Sequence, residues 1–162
     1  MNLTFVPYGN AKIGDRSDPS TLACQHGDVE CSGNSYEQCA IYKNPNPKDY
    51  LPFVGCLAGK ASQLLKLDKT FEDCATSSNL DFQPIKACHD DADLAWTLQL
   101  QYADLTPSDH QWTPWVVIND VLYEDGEFVD VVCDAYVKAG GVAPVGCGTA
   151  MEMKELRSSS KW

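Results

Sequence analysis

Cysteine is the most reactive residue type in this 162-residue sequence, and eight cysteines are spread along it. Thiols can exchange disulfides, bind metal ions or form structural disulfides, and an even number in one chain is typical of a disulfide framework in an oxidising compartment. Successive cysteines are 7, 8, 17, 18, 14, 45 and 14 positions apart, so no two have the CxxC spacing of a redox-active pair. The eight residues are Cys24, Cys31, Cys39, Cys56, Cys74, Cys88, Cys133 and Cys147.

Cys24 and Cys31 are the tightest pair, and two interpretations of them differ in chemistry. They can be a redox-active pair or a structural disulfide that closes a small loop. We favour the structural disulfide, because loop cysteines of secreted chains usually have that role. Together with His26 and Cys39 they could instead bind zinc, but their spacing fits no standard zinc finger. We therefore predict no metal and no cofactor.

The even number of cysteines also argues against a thiol protease. Such an enzyme pairs a free cysteine with a histidine, and an even count leaves no obvious unpaired nucleophile. The histidines available are His26, His89 and His110. Proximity in the sequence predicts the disulfides Cys24–Cys31 and Cys133–Cys147, with the other four cysteines paired among themselves.

The charge balance excludes two classes of partner. The chain has 23 acidic and 12 basic residues, a formal net charge of -11, and no basic run. Nucleic acids and anionic membranes are bound through clusters of lysine and arginine, so we expect neither as a partner. With 44% hydrophobic positions, the chain is long enough for one domain with its own core.

The first residues give conflicting indications of the cellular compartment. Asn2-Leu3-Thr4 is a sequon for N-glycosylation, which occurs only in a secretory lumen, so Asn2 is a candidate glycosylation site. The first twenty positions nevertheless lack the basic start and apolar core of a signal peptide. We expect the true N-terminus to lie upstream of Met1, behind a signal peptide that directs the protein to the lysosome or outside the cell.

The positions of the candidate residues depend on the elements that carry them. Residues 2–8 are β-prone and predict a short strand, whereas residues 11–33 are turn-rich and predict a loop. A helix is predicted from Asn34, with Glu37 three positions later in a capping-box-like arrangement, to about Lys43.

A helical block follows over residues 34–105. Pro47 suits the first turn of a second helix, in which Tyr50, Val54 and Leu57 have helical spacing, although Pro52 interrupts the pattern. Three more helices are predicted, over residues 71–75, 81–89 and 91–105.

After residue 106 the pattern changes to a hairpin and a helix. Residues 115–118 and 121–123 predict two strands joined by a turn at Asn119-Asp120. Apolar residues at helical spacing over 128–136 predict an amphipathic helix that stops at Gly140-Gly141.

One stretch of sixteen residues resembles a known family. The run CQHGDVECSGNSYEQC is similar to the signature of the gamma-interferon-inducible lysosomal thiol reductase family and matches every fixed position of it. The segment NLTFVPYGNA, the hairpin after Pro114 and the helix carrying Cys133 are also similar, so the resemblance covers about residues 2 to 147. The signature positions are Cys24, Gln25, His26, Gly27, Glu30, Cys31, Asn34 and Cys39.

The resemblance implies an α+β, thioredoxin-like fold and a reductase of protein disulfides in acidic lysosomal or secreted compartments. A domain over 1–150 would contain the helical insertion at about 34–105, and 151–162 would be a flexible tail. The family's exchanging pair is a CxxC motif that precedes the segment at Asn2, so the first strand and first helix would be missing here. None of the eight cysteines inherits the catalytic role, and the chain would be an N-terminally truncated member.

Two functions therefore remain open. The chain can belong to a thiol–disulfide oxidoreductase that acts on disulfide-containing proteins, or it can be a non-enzymatic, disulfide-stabilised binding module. Pro114, which follows Thr113, lies where thioredoxin-like domains place a cis-proline, so these two residues are candidates for docking substrate; an ordinary edge proline is the alternative. Trp112 and Trp115 beside them can line a groove or belong to the core.

The polar signature residues have two possible roles as well. Gln25, His26 and Glu30 could contact substrate or could fix the loop through hydrogen bonds and a helix cap, and we favour the structural role.

Overall fold

The protein is described here from a computed structural model, which places residues 2–60 and 67–147. The structure confirms a mixed α+β fold, with helices predominating over two small antiparallel sheets. The α-helices are α1 (Asp28–Lys43), α2 (Pro47–Gly59), α3 (Leu67–Ser77), α4 (Phe82–Asp90), α5 (Ala92–Leu105) and α6 (Phe128–Lys138). The strands are β1 (Lys12–Ile13), β2 (Leu22–Ala23), β3 (Val117–Ile118) and β4 (Val121–Leu122), and a short 3-10 helix spans Pro19–Thr21.

The chain forms two compact units, one over Asn2–Thr113 and one that begins at Pro114. Strands β1 and β2 pair in the first unit, and β3 and β4 pair in the second. None of the helices within the described ranges is long and apolar enough to cross a membrane. A thioredoxin-like domain over 1–150 stays a prediction, and the predicted tail at 151–162 lies outside the described residues.

The first unit is organised around α1, which packs against α2, α4 and α5. Its core contains large side chains that are almost fully buried, among them Tyr36, Phe53, Phe71 and Ile85. Tyr36 stacks on Phe71 with ring centroids 4.0 Å apart. Burial of such aromatic and aliphatic side chains contributes roughly 1.5–3 kcal/mol for each residue, so this core is the main source of stability.

Helices α2, α4 and α5 confirm the sequence-based prediction, whereas α3 is longer than the predicted 71–75. Helix α2 starts with Pro47 behind the capping residue Asn46, and it continues through Pro52, whose ring lies on the exposed side. Asp81 and Asp91 cap α4 and α5 by accepting hydrogen bonds from backbone N–H groups in their first turns. Side chains of this type satisfy amides that have no partner inside the helix, which is why they mark helix starts.

Two predictions near the N-terminus are wrong. Residues 2–8 form no strand, because no backbone partner lies beside them among the described residues. Side-chain amides of α1 bind this segment instead: Asn34 donates to the carbonyl of Tyr8 at 3.0 Å, and Gln38 donates to that of Pro7 at 2.9 Å. Helix α1 also begins at Asp28 rather than at Asn34, so the predicted loop over 11–33 contains the hairpin β1–β2 and the first turn of α1.

The second unit contains the predicted hairpin and helix. Asn119 and Asp120 join β3 to β4 with φ angles of 49° and 64°, the left-handed values that a two-residue hairpin turn requires. Helix α6 ends before Gly140, whose φ of 87° suits glycine at a helix C-terminus. Both the hairpin and the helix confirm the prediction, with shorter strands than expected.

Candidate functional site

Four disulfides join all eight cysteines, and they confirm the predicted pairing. Cys24–Cys31 and Cys133–Cys147 are the two local links, separated by 7 and 14 positions. The other four cysteines pair inside the helical block: Cys39–Cys88 joins α1 to α4, and Cys56–Cys74 joins α2 to α3. Sulfur in a disulfide is neither a nucleophilic thiolate nor a zinc ligand, so these cysteines do not supply the zinc site or thiol protease considered above.

The Cys24–Cys31 disulfide closes a loop at the start of α1. The loop turns at Gly27, the residue before the helix, which has a φ of 79° that disfavours any residue with a side chain. Cys31 lies one turn into α1, so the disulfide fixes the chain that enters the helix against the helix itself. The signature residues between the two cysteines are thereby held in one place.

Glu30 is the polar centre of this loop. Its Oε2 accepts a hydrogen bond from the backbone N–H of His26 at 2.7 Å and lies 2.8 Å from Nδ1 of the same residue. The carboxylate thus fixes the loop that enters α1, because it binds the residue that precedes the N-cap Gly27. The side chain of Glu30 is 20% exposed, whereas that of His26 is 77% exposed. Glu30 therefore acts within the loop, while most of the imidazole faces solvent.

Two further contacts tie the loop to the N-terminal segment. Asn10 donates a hydrogen bond from Nδ2 to Oε1 of Gln25 at 2.7 Å. Gly9 approaches Glu30 so closely that a Cβ on it would lie 3.1 Å from Oε1 of Glu30, and Gly9 has a φ of 62°. The signature residues Gln25, His26 and Glu30 thus make the local hydrogen bonds that their structural interpretation predicts.

A cavity of about 500 Å³ lies beside α1 in the first unit. Its polar side chains come from the first three turns of α1 and the loop before it, and its apolar side chains come mainly from α2 and α3. The size is within the range of about 300–1,000 Å³ that is usual for ligand pockets. The lining residues are His26, Val29, Glu30, Gly33, Asn34, Glu37, Leu57, Ala58 and Phe71.

Glu37 is the residue of this cavity that sequence reasoning placed wrongly. Its predicted role was to cap a helix at Asn34, but it lies in the third turn of α1 and lines the cavity. Burial raises the pKa of the Glu37 carboxyl to about 7, because a charged carboxylate is costly away from water. The spacing of Glu30, Asn34 and Glu37, at i, i+4 and i+7, was the signal for a shared helix face.

The structure does not bring the remaining candidate residues to this cavity. Thr113 and Pro114 lie in an exposed bend before β3, where the first unit ends and the second begins. Trp112 next to them is 44% exposed. Asn2 is exposed, as a glycosylated asparagine must be. Substrate docking at Thr113 and Pro114 and a glycan on Asn2 stay predictions.

Known proteins are similar to this chain in the region of the signature loop. A family model described as gamma interferon inducible lysosomal thiol reductase matches residues 1–78, which include the whole signature and the Cys24–Cys31 loop. A protein of Arabidopsis thaliana named gamma-interferon-responsive lysosomal thiol protein is 30% identical over 99% of this chain. The chain belongs to the gamma-interferon-inducible lysosomal thiol reductase family.

Other members of the family are similar over most of the chain. The gamma-interferon-inducible lysosomal thiol reductases of Mus musculus and Carassius auratus are 28% and 29% identical over 84% and 95% of it. The chain spans 66% of the length of the Arabidopsis relative, 55% of the mouse one and 62% of the Carassius auratus one. These relatives support the coarse assignment of this chain to a thiol reductase family.

Proposed function

We propose that this chain acts in the reduction of protein disulfides in an acidic lysosomal or extracellular compartment. In this account it forms the disulfide-stabilised scaffold of a thiol–disulfide oxidoreductase, and the exchanging cysteine pair is not among its eight cysteines. One observation carries the proposal: the family signature is built into the Cys24–Cys31 loop at the start of α1, in a chain related to proteins named thiol reductases.

The chemistry of disulfide exchange supports the proposal that the exchanging pair is not among the eight cysteines of this chain. Disulfide reduction by two cysteines needs one thiolate to attack and a second thiol to resolve the mixed disulfide, and the pair is usually spaced CxxC. All eight cysteines here are paired, and none has that spacing. At a pH near 4.5 an ordinary thiol of pKa ~8.5 is only about one part in 10⁴ ionised, so an acid-active pair also needs strong thiolate stabilisation.

The disulfides support the proposed compartment. Four disulfides in one chain persist where the environment is oxidising, as in secretory and extracellular spaces. The exposed Asn2 of the sequon is accessible to the glycosylation machinery of the same route. The partners that we propose are disulfide-containing proteins, which would dock at Thr113 and Pro114, and not nucleic acids or membranes.

The proposed division of roles can be tested on the 162-residue chain. The substrate is a peptide with an internal disulfide and a self-quenched dye pair, reduced by free cysteine at pH 4.5 with and without the chain. We expect the rate to equal that of cysteine alone. An acceleration that is lost in Cys24→Ser/Cys31→Ser but kept in Cys133→Ser/Cys147→Ser would overturn the proposal and make Cys24–Cys31 the exchanging pair.

The second candidate function is a binding module without redox chemistry. The observation in its favour is that every cysteine is paired while a cavity of about 500 Å³ lies beside the signature helix. The two functions differ in the thiols of the native protein. A thiol reductase purified from its own cells carries a reducible cysteine pair in addition to these four disulfides, and a binding module carries none.

A further inference from the structure

We propose that the cavity beside α1 binds a basic side chain, lysine or arginine, from another polypeptide, and that Glu37 supplies the carboxylate that pairs with it. This inference goes beyond the proposed function, since it depends only on residues of the first unit and not on where the exchanging thiols lie. Neither the family signature nor the disulfides assign a role to Glu37, which is not a signature position.

The Glu37 carboxyl group is partly withdrawn from water. The residue is half-buried, and burial raises the pKa of its carboxyl to about 7. Among the described residues it has no hydrogen-bond or ion-pair partner, although it lines an open cavity. A partly desolvated carboxylate without a partner is costly, and a cation in the cavity would offset that cost.

Glu30 is the neighbouring carboxylate of the cavity, and its Oε2 is bound to the backbone N–H and Nδ1 of His26. Glu37 lies seven residues, about two helical turns, further along α1. It makes no such contact with a described residue, so both of its carboxylate oxygens can accept hydrogen bonds from a ligand.

The cavity also has an apolar lining. Val29 on α1, Leu57 and Ala58 on α2 and Phe71 on α3 line the rest of the cavity. Lysine and arginine are the side chains that combine a cationic head with a long aliphatic stem, and such stems lie along apolar surfaces. A small inorganic cation would leave the apolar lining unused, and an uncharged apolar side chain would leave Glu37 without a partner.

The charges around Glu37 predict how binding depends on pH. The titratable groups that line the cavity are His26 and Glu30 from the start of α1, and the described parts of α2 and α3 contribute none to its lining. Glu37 is ionised above its raised pKa and neutral in acid, so the basic side chain binds near pH 8 and is released near pH 5.

The test uses the whole chain and four small probes. Nα-acetylarginine amide and Nα-acetyllysine amide carry the proposed side chains, and the amides of Nα-acetylnorleucine and Nα-acetylglutamine are matched uncharged controls. Binding is followed by amide chemical shifts at pH 8 and at pH 5. We expect the basic probes to bind at least tenfold more tightly than norleucine at pH 8, with shifts at the cavity residues, and this preference to disappear at pH 5.

Two variants and a control decide whether Glu37 is responsible. Glu37→Gln should remove the tenfold preference, and Ala58→Trp should block all four probes by filling the cavity without a change of charge. Glu72→Gln removes an exposed carboxylate on α3 that does not line the cavity, and it should keep the preference. Equal binding of arginine and norleucine by the native chain, or an unchanged preference in a folded Glu37→Gln variant, would overturn the inference.

Discussion

The carboxylate of Glu30 holds His26 at two points, with Oε2 2.7 Å from its backbone nitrogen and 2.8 Å from its Nδ1. We expect the two contacts to contribute differently to stability. The backbone N–H belongs to the loop that enters α1, whereas the imidazole ring is mostly exposed. The loop that carries the family signature is therefore held both by the Cys24–Cys31 disulfide and by the Glu30 carboxylate. Each of these supports can be removed separately.

Removing the Glu30 carboxylate should lower the free energy of unfolding by more than removing the His26 imidazole does. Glu30→Ala deletes the acceptor for the backbone N–H of His26, and we expect the free energy of unfolding to fall by about 1–2 kcal/mol. His26→Ala deletes only the exposed side-chain contact and should cost less than about 0.5 kcal/mol. Urea unfolding of both variants checks this. Equal losses of stability in the two variants would show that the contact to the imidazole ring, and not the hydrogen bond to the backbone N–H, stabilises the loop.

The disulfides should differ in their contribution to stability. Cys39–Cys88 spans 49 positions and Cys24–Cys31 spans 7, so the chain-entropy model gives about 4 kcal/mol for the first and about 2.5 kcal/mol for the second. Cys39 and Cys88 are also buried in the core, which adds to the loss when they are replaced by alanine. The measurement is the urea midpoint of each double alanine variant. A larger loss for Cys24→Ala/Cys31→Ala would contradict the expectation.

Glu37 should make the protein more stable in acid than at neutral pH. Its pKa in the folded state is about 7, above the usual value of 4.5 that it has when unfolded. The folded state therefore holds a proton that the unfolded state releases. The contribution is fully present below pH 4.5 and is lost as the pH rises through 7, with a size on the order of 3 kcal/mol.

Comparison with Glu37→Gln isolates this group. We expect the free energy of unfolding of the native chain, measured in urea at pH 4.5 and pH 7.5, to fall by more than that of the variant over the same interval. The matched variant Glu72→Gln should behave as the native chain does. Parallel curves for the native chain and Glu37→Gln would mean that Glu37 is not titrating in this range.

The turn between β3 and β4 offers a local test of backbone conformation. Asp120 has a φ of 64°, which glycine adopts without steric cost and a β-branched residue adopts with strain. Asp120→Gly should leave the hairpin intact or stabilise it by up to about 1 kcal/mol, and Asp120→Val should destabilise it by at least about 1 kcal/mol. Hydrogen exchange of the Tyr123 amide, which donates to the carbonyl of Val116 at 2.8 Å, reports on the hairpin directly. Faster exchange in Asp120→Gly than in Asp120→Val would contradict this.

Local signals predicted the parts of the fold that depend on neighbouring residues. Asn46 with Pro47, Asp91 as a cap, and the Asn119-Asp120 turn are short patterns whose physical causes lie within a few residues of each other. The disulfides were predictable for the same reason, since two of them are local and the other two lie within one helical block. The sequence-based prediction was therefore accurate for α2, α5, the hairpin and α6.

The errors arose where a distant residue decides the structure. Residues 2–8 have the composition of a strand, but the side-chain amides of Asn34 and Gln38 bind their carbonyls instead. Asn34 was predicted to cap a helix, but α1 begins at Asp28, and Glu30 in its first turn reaches back to the backbone N–H of His26. The cavity at Glu37 was missed because a third of its lining residues come from α2 and α3, which no pattern within α1 reveals.

The measurement that tests the central claim most directly is a thiol map of the native protein. The protein is isolated from its own cells with an antibody against residues 28–43, treated with a mild reductant at pH 4.5, alkylated, and analysed by peptide mass spectrometry without further reduction. The account predicts a labelled pair of cysteines with CxxC spacing, while the four disulfides of this chain stay intact. Label on Cys24 and Cys31, or no labelled CxxC pair, would contradict it.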